Sequence, residues 1–524
     1  MKKLKPIAIF GTGSDVGKSI VAAALCKSFA DRGISVAPFK AQNMSNNSGI
    51  TPEGSEMGRA QIVQAEAAGV VPHVDMNPVL LKPTGEKGSQ VVLNGMAVEN
   101  STAMEYHKKK DFYFDQACMA FDRLRQHHGM IILEGAGSCA EVNLMATDIV
   151  NFRMAQYAGA DVVLVADIHR GGVFGQIVGT LECLPRHCRE MIRGIIINRF
   201  RGDIALFQDG VEWIEQKTGK KVLGVLPWYH HFRIDAEDSV ELETLPSLTE
   251  LDNKRPAIAV IKLKHISNFT DFHALTETRE LQVIFVEQAM DLERFKAVII
   301  PGSKNTRSDL NWLEESGWST RIKEYATQGG HVLGICGGFQ ILGNFVDDPQ
   351  GLEGIPGSTR GLELLPVQTI LKAPKTTTLS TFSWYNGENF GESAGTEDLR
   401  GEGYEIHMGH TTRLSGPPMF KVHLRNSTPC DPEDNEDGAV SRENNVRGTY
   451  MHGMFDVTAI KNRWIEEIGI LQEKTPDLRE QMNLDPLQRK KRTYTMLRNH
   501  FEKYVDIGTL LFTRNINRLP GEPT

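Results

Sequence analysis

A chain of 524 residues exceeds the roughly 100–200 residues of a single domain, so two or more domains with separate cores are expected. A hydrophobic fraction of 40% and a charged fraction of 24% exclude a largely disordered or fibrous protein. A net charge of -8 supplies no basic excess for a phosphate backbone and argues against nucleic acid as a partner.

In chain order, the basic start and its apolar run end at Gly11. That run is too short for an export signal and reads as the first strand. No stretch approaches the roughly 18–20 apolar residues of a membrane helix, so no membrane partner is expected. Apolar, β-branched runs at Pro6–Phe10, Ser35–Phe39, Met130–Leu133, Asp161–Ala166, Gly194–Ile197 and Val222–Leu226 alternate with amphipathic stretches. This alternation predicts an α/β fold with a parallel, doubly wound sheet. The pattern lapses over Asp235–Arg255, and a second series begins at Ala257–Ile261. It continues through Leu281–Val286, Ala297–Ile300 and His331–Ile335, then shorter runs near Tyr404–Met408, Met419–Val422 and Gly448–Tyr450. The expected division is residues 1–250, 251–470 and a helical tail over 471–524. Pro349–Gly361 and the acidic Pro429–Asn445 read as irregular loops without chemistry, and the basic run Arg489–Arg492 as a solvated helix face. The seven cysteines form no C-x-x-C pair, which argues against disulfides or a zinc site and places the chain in the reducing cytosol.

Between the first strand and an Ala-rich helix runs Gly11-Thr12-Gly13-Ser14-Asp15-Val16-Gly17-Lys18-Ser19. Backbone N–H groups of such a loop cradle phosphate, the lysine reaches the β and γ oxygens, and the serine hydroxyl coordinates Mg2+. Thr12 stands where the usual motif has its first glycine. Lys40 and Glu134 follow strands at their C-terminal ends, where doubly wound sheets bind ligands, and Glu134 is a second candidate donor for Mg2+.

In the second half, Gly329-Gly-His-Val-Leu-Gly-Ile-Cys336-Gly337-Gly-Phe-Gln340 sets a cysteine on a sharp strand-to-helix turn. A helix N-terminus favours thiolate, the attacking species in acyl transfer, so an exposed Cys336 is the candidate nucleophile. Its base should be a distant histidine. His452, at the end of a short strand, has the best context, and His407 is the competitor. The N–H groups of Gly302, after another strand, and of Gly337 are candidates for an oxyanion hole.

The phosphate loop resembles that of the dethiobiotin synthetase and cobyrinate amidase branch, which uses ATP to activate carboxylates. Gly13 occupies the place of the signature lysine of partition ATPases. Asn198 corresponds, in that resemblance, to an adenine-contacting asparagine. The set around Cys336 resembles the class I glutamine amidotransferases, of flavodoxin-like fold, but the usual glutamate two residues after the histidine is replaced by Met454. Lys40-Ala-Gln42-Asn43-Met-Ser-Asn-Asn-Ser, Asp167-Ile-His-Arg-Gly-Gly-Val-Phe, Pro301-Gly-Ser-Lys-Asn-Thr, Gly403-Tyr-Glu-Ile-His-Met-Gly and Gly448-Thr-Tyr-Met-His-Gly together look like the cobyric acid synthase family. His169 departs from the acidic residue more usual there.

The resemblance implies ATP, Mg2+, L-glutamine and a corrinoid, with amidation of the b, d, e and g carboxylates of adenosylcobyrinic acid a,c-diamide. Gln42 and Asn43 then lie where the family handles Mg2+ and substrate, and ammonia passes between the sites by an enclosed route or promptly across the domain interface. Cobyrinic acid a,c-diamide synthase, a similar ligase acting on another polycarboxylate, and a nucleotide switch with a vestigial glutaminase remain the alternatives.

Overall fold

The computed structural model describes residues 3–84, 88–229, 251–252, 254–278, 280–385, 399–470 and 486–512. The expected boundary stretch, 235–255, and the start of the tail lie largely outside the described residues. No described helix is long and apolar enough to cross a membrane.

Two sheets organise the chain. The first is six-stranded and parallel, in the order Lys221–Pro227, Ile192–Phe200, Asp161–Asp167, Ile7–Gly11, Met130–Glu134, Val36–Phe39. Helices cover parallel sheets on both faces, so their strands read as continuous apolar runs. Every residue of Ile7–Gly11 and of Met130–Glu134 is buried. The second sheet runs Gln282–Val286, Ala257–Ile261, Ala297–Ile300, His331–Ile335, Val446–Thr449, with Ala439–Val440 antiparallel on its edge. Taken in chain order its parallel strands lie 2-1-3-4-5, the flavodoxin-like arrangement. The expected α/β class with two doubly wound sheets therefore holds.

Antiparallel additions escape the alternation pattern. Val79–Pro83, Gly88–Leu93 and Met96–Thr102 form an antiparallel run whose first strand pairs in parallel with Gln42–Met44 in the first unit, and Thr376–Trp384 pairs with Arg400–His407 and Phe420–Arg425 in the second. Two expected loops are corrected. Gly357–Arg360 is a strand paired with Phe345–Asp348, so 349–361 is not irregular throughout. Asp437, inside the supposed surface loop, is 5% exposed and accepts the Thr449 hydroxyl and the Tyr450 N–H. Short strands rich in Gly, Ser and Thr carry no hydrophobic period, which is why they read as loops.

The tail does not stand alone. Helix Pro486–Tyr504 returns to the first unit, where Leu497, Phe501 and Val505 join the apolar cluster of Leu25 and Phe29. Lys490 and Tyr494 both reach Glu66, at 2.8 and 2.5 Å, while Lys491 and Arg492 stay exposed. Gly224 bridges to Val505, and a Cβ there would come within 2.2 Å of the Tyr504 carbonyl oxygen. Gly224→Ala is therefore expected to cost about 1–3 kcal/mol, as overpacking against a backbone does. A lower urea midpoint with faster hydrogen exchange along Pro486–Tyr504 would show it; unchanged exchange would refute the docking.

Candidate active site

The phosphate loop leaves the strand Ile7–Gly11 and enters helix Lys18–Asp31. Gly17, at φ 95°, cannot carry a side chain, because a Cβ would sit 2.1 Å from the Asn198 amide nitrogen. That amide donates to the Val16 carbonyl at 2.9 Å and its oxygen accepts the Arg199 N–H, so Asn198 braces the loop. Lys18 arches over it, donating to the carbonyls of Gly13 and Gly137 at 2.9 and 3.0 Å.

Glu134, 1% exposed, ends the strand Met130–Glu134, between Ile7–Gly11 and the edge strand Val36–Phe39. One of its oxygens accepts from Ser19 Oγ at 2.7 Å and Lys40 Nζ at 3.0 Å, the other from Gln61 and Gln64. Burial favours the neutral carboxyl, but the Lys40 ammonium and the bonds from Ser19 and Gln64 hold it below the usual carboxylate range. Sequence reading missed Gln61 and Gln64; their i,i+3 spacing on helix Arg59–Ala68 is the signal that puts both on one face. Asn43 donates to Gln61 at 2.9 Å and so joins the cluster. Gln42 points to the other face of its strand, where Tyr106 donates to it at 2.6 Å.

Cys336 follows the strand His331–Ile335 and precedes the helix Gly337–Leu342. Its φ of 54° and ψ of -110° make a strained turn. The flanking glycines are steric necessities: a Cβ on Gly338 would lie 2.0 Å from the Ile300 carbonyl oxygen. The cysteine is 6% exposed, less than expected of a nucleophile, and reaches solvent space through a narrow cavity lined also by Gln340 and His407. Its sulfur bonds the Ile406 carbonyl at 3.3 Å.

His452 is fully buried just beyond the strand Val446–Thr449, fixed by paired backbone hydrogen bonds with Tyr404 and stacked on the Tyr404 ring. Asp271 lies 2.7 Å from His452 Nδ1 and accepts the Gly453 N–H with its other oxygen. Asn268 approaches His452 Nε2 at 3.4 Å. Burial alone would depress the imidazole, yet the Asp271 carboxylate and the adjacent Cys336 sulfur, when deprotonated, raise it to about 10. His407 also lines the cavity, but its ring stacks on Tyr450 at 3.6 Å, and among the described residues its carboxylate neighbour, Glu405, lies 3.8 Å away, farther than Asp271 from His452. His169 lies apart, with its ring 4.8 Å from Trp228.

The expected oxyanion donor Gly302 is corrected. Gly302–Ser303 pairs antiparallel with Ile266–Ser267, and Lys304 N–H donates to the His265 carbonyl at 2.8 Å. Hydrogen-bonded pairs alternate along such a ladder, so the Gly302 N–H faces Ser267. The N–H of Ser303 turns to the opposite side, where its nitrogen lies 2.7 Å from the place of a Gly337 Cβ.

The two centres meet across the hairpin Ser48–Ile50 and Glu56–Gly58. The Ser48 N–H donates to Asn268 at 3.1 Å, and Lys375 reaches Glu56 at 2.6 Å.

Residues 7–241 match the model of a CobQ/CobB/MinD/ParA nucleotide binding domain, and residues 257–460 that of a CobB/CobQ-like glutamine amidotransferase domain. A cobyric acid synthase of Chlorobium phaeobacteroides is 47% identical, covering 96% of this chain and 96% of its own. The cobyric acid synthase of Chlorobaculum tepidum is 46% identical over 96% and 97%, and that of Moorella thermoacetica 42% identical over 98% of each chain. At that identity along both units, the chain belongs to the cobyric acid synthase family.

Proposed function

We propose that this chain amidates the b, d, e and g carboxylates of adenosylcobyrinic acid a,c-diamide to give adenosylcobyric acid, using ATP and Mg2+ in one unit and L-glutamine in the other. The carrying observation is that one chain, similar to cobyric acid synthases along nearly its whole length, holds both a buried carboxylate at a phosphate loop and a buried Cys–His–Asp set. We assign the ligase to residues 1–250, the glutaminase to 251–470 and a tail to 471–524, whose helix Pro486–Tyr504 returns to the ligase. The seven unpaired cysteines agree with a reducing cytosol.

In the ligase, the loop from Gly11 to Ser19 and the Lys18 ammonium hold the phosphates of ATP. Ser19 and Glu134, 2.7 Å apart, are hard oxygen donors of the kind Mg2+ takes beside substrate phosphates, and the ion when bound neutralises phosphate charge. A substrate carboxylate oxygen attacks the γ-phosphorus and ADP leaves; ammonia then adds to the acyl carbon and phosphate departs. Lys40 and Asn43, tied into the Glu134 cluster, position the attacking carboxylate.

In the glutaminase, the Cys336 thiolate attacks the side-chain amide carbon of glutamine. The N–H groups of Ser303 and Gly337 receive the oxyanion, each worth roughly 3–4 kcal/mol. His452 gives its proton to the departing ammonia and then takes one from the water that cleaves the thioester, releasing glutamate. Asp271 holds Nδ1–H so that Nε2 faces the sulfur.

Cys336→Ala should abolish glutamine-supported amidation of cobyrinic acid a,c-diamide and retain amidation supported by ammonium. If wild type forms no corrinoid amide with either donor, the substrate assignment falls. Asp271→Asn is expected to lower glutamine turnover on the order of 10²- to 10⁴-fold. Because Asp271 helps raise His452 to about 10, the imidazolium needed as proton donor is lost only as pH rises through that value. The alkaline limb of glutamine hydrolysis should move to lower pH in the variant; an unmoved limb would rule out Asp271 as the orienting group.

A further inference from the structure

Around Cys336, cationic side chains outnumber the carboxylates that face them. Lys304, Lys375 and, from the ligase unit, Lys82 line the cavity, as does Glu353. Glu56 behind them accepts from both Lys82 and Lys375, at 2.7 and 2.6 Å. Glu353 is engaged by the Arg307 N–H at 3.0 Å. Among the described residues the Lys304 ammonium takes no hydrogen bond and no ion pair, although it shares the cavity with the Cys336 sulfur. Three lysine side chains against two carboxylates leave a basic recess, partly closed from water, beside the nucleophile, with burial lowering Lys375 to about 7 and leaving Lys304 its most available ammonium.

We propose that this recess is the α-carboxylate subsite for glutamine, with the carboxylate docked on Lys304, the α-ammonium on Glu353, and the side-chain amide carbon at Cys336. The proposal rests on the glutaminase reading above and adds the groups that select an amino acid from other primary amides. Burial and the neighbouring Lys82 lower the Lys304 ammonium to about 8, and burial pushes the Glu353 carboxyl up. Lys304 and Glu353 sense each other's charge across the cavity without pairing, and each gains a direct counter-ion when a glutamine zwitterion binds. Lys82 closes the recess from the ligase side, so the subsite is complete only while the two units are docked.

The test compares L-glutamine with 4-aminobutanamide, the same molecule without its α-carboxylate, as substrates for hydrolysis by the full chain. Wild type should favour glutamine by roughly 10- to 100-fold in kcat/KM, the size of one charge-assisted hydrogen bond. Lys304→Met should lose that preference, mainly through KM for glutamine, and change the rate on 4-aminobutanamide by less than about threefold. Lys304→Arg, which keeps the charge, should recover part of the preference. Equal losses on both substrates, or undisturbed selection of glutamine in Lys304→Met, would overturn the subsite. Failure of wild type to hydrolyse glutamine at all would instead sink the glutaminase reading.

Discussion

Glu56 is 1% exposed, and its two oxygens are divided between Lys82 of its own unit and Lys375 of the other. Burial of a carboxylate is costly unless it is paired, and here the two ammonium groups hold it well below the usual carboxylate range. Loss of either lysine would leave buried charge uncompensated, typically about 3–5 kcal/mol. The pairing therefore fixes how the units meet. It also carries Lys82 to the cavity of Cys336 and sets Ser48 against Asn268.

Within each unit a different constraint gathers the chemistry. Parallel strands put all their C-terminal ends on one edge, so residues far apart in the chain converge there. Gly11, Lys40, Glu134 and Asn198 lie at or just beyond strands of the first sheet; Asp271, Gly302, Cys336 and His452 follow strands of the second. Crossover helices and loops supply the length between them. Gln61 and Gln64 are exceptions, delivered to Glu134 by a helix rather than a strand end.

This geometry explains what could be read from the chain alone. Ala257–Ile261, Ala297–Ile300 and His331–Ile335 have the bounds that their apolar runs imply, because strands buried on both faces are made almost wholly of apolar residues. The phosphate loop and the cysteine turn were legible because glycine is forced there by contacts as short as 2.1 and 2.0 Å. Asp271 was not, since it stands 181 residues before His452 and belongs to no local motif. Nor was the Gly302 register, which depends on pairing with Ser267. Glu353 fell in a stretch taken for a loop without chemistry; its value lies in the cavity it lines, which no sequence window contains.

The position of Asp271 has a consequence for coupling. A glutamate two residues after the histidine would share its strand end and move with it. Asp271 belongs instead to the segment after Ala257–Ile261, together with Asn268, and the pair brackets the imidazole at Nδ1 and Nε2. Asn268 adopts a left-handed backbone at φ 51°, and its amide oxygen is committed to the Ser48 N–H of the ligase hairpin. That hairpin runs on into helix Arg59–Ala68, whose Gln61 and Gln64 hold Glu134 beside the phosphate loop. The support of His452 is thus continuous, through hydrogen bonds and one short helix, with Glu134 beside the phosphate loop. A shift of the hairpin that alters the Glu134 cluster must also strain the contact that holds Asn268 against His452.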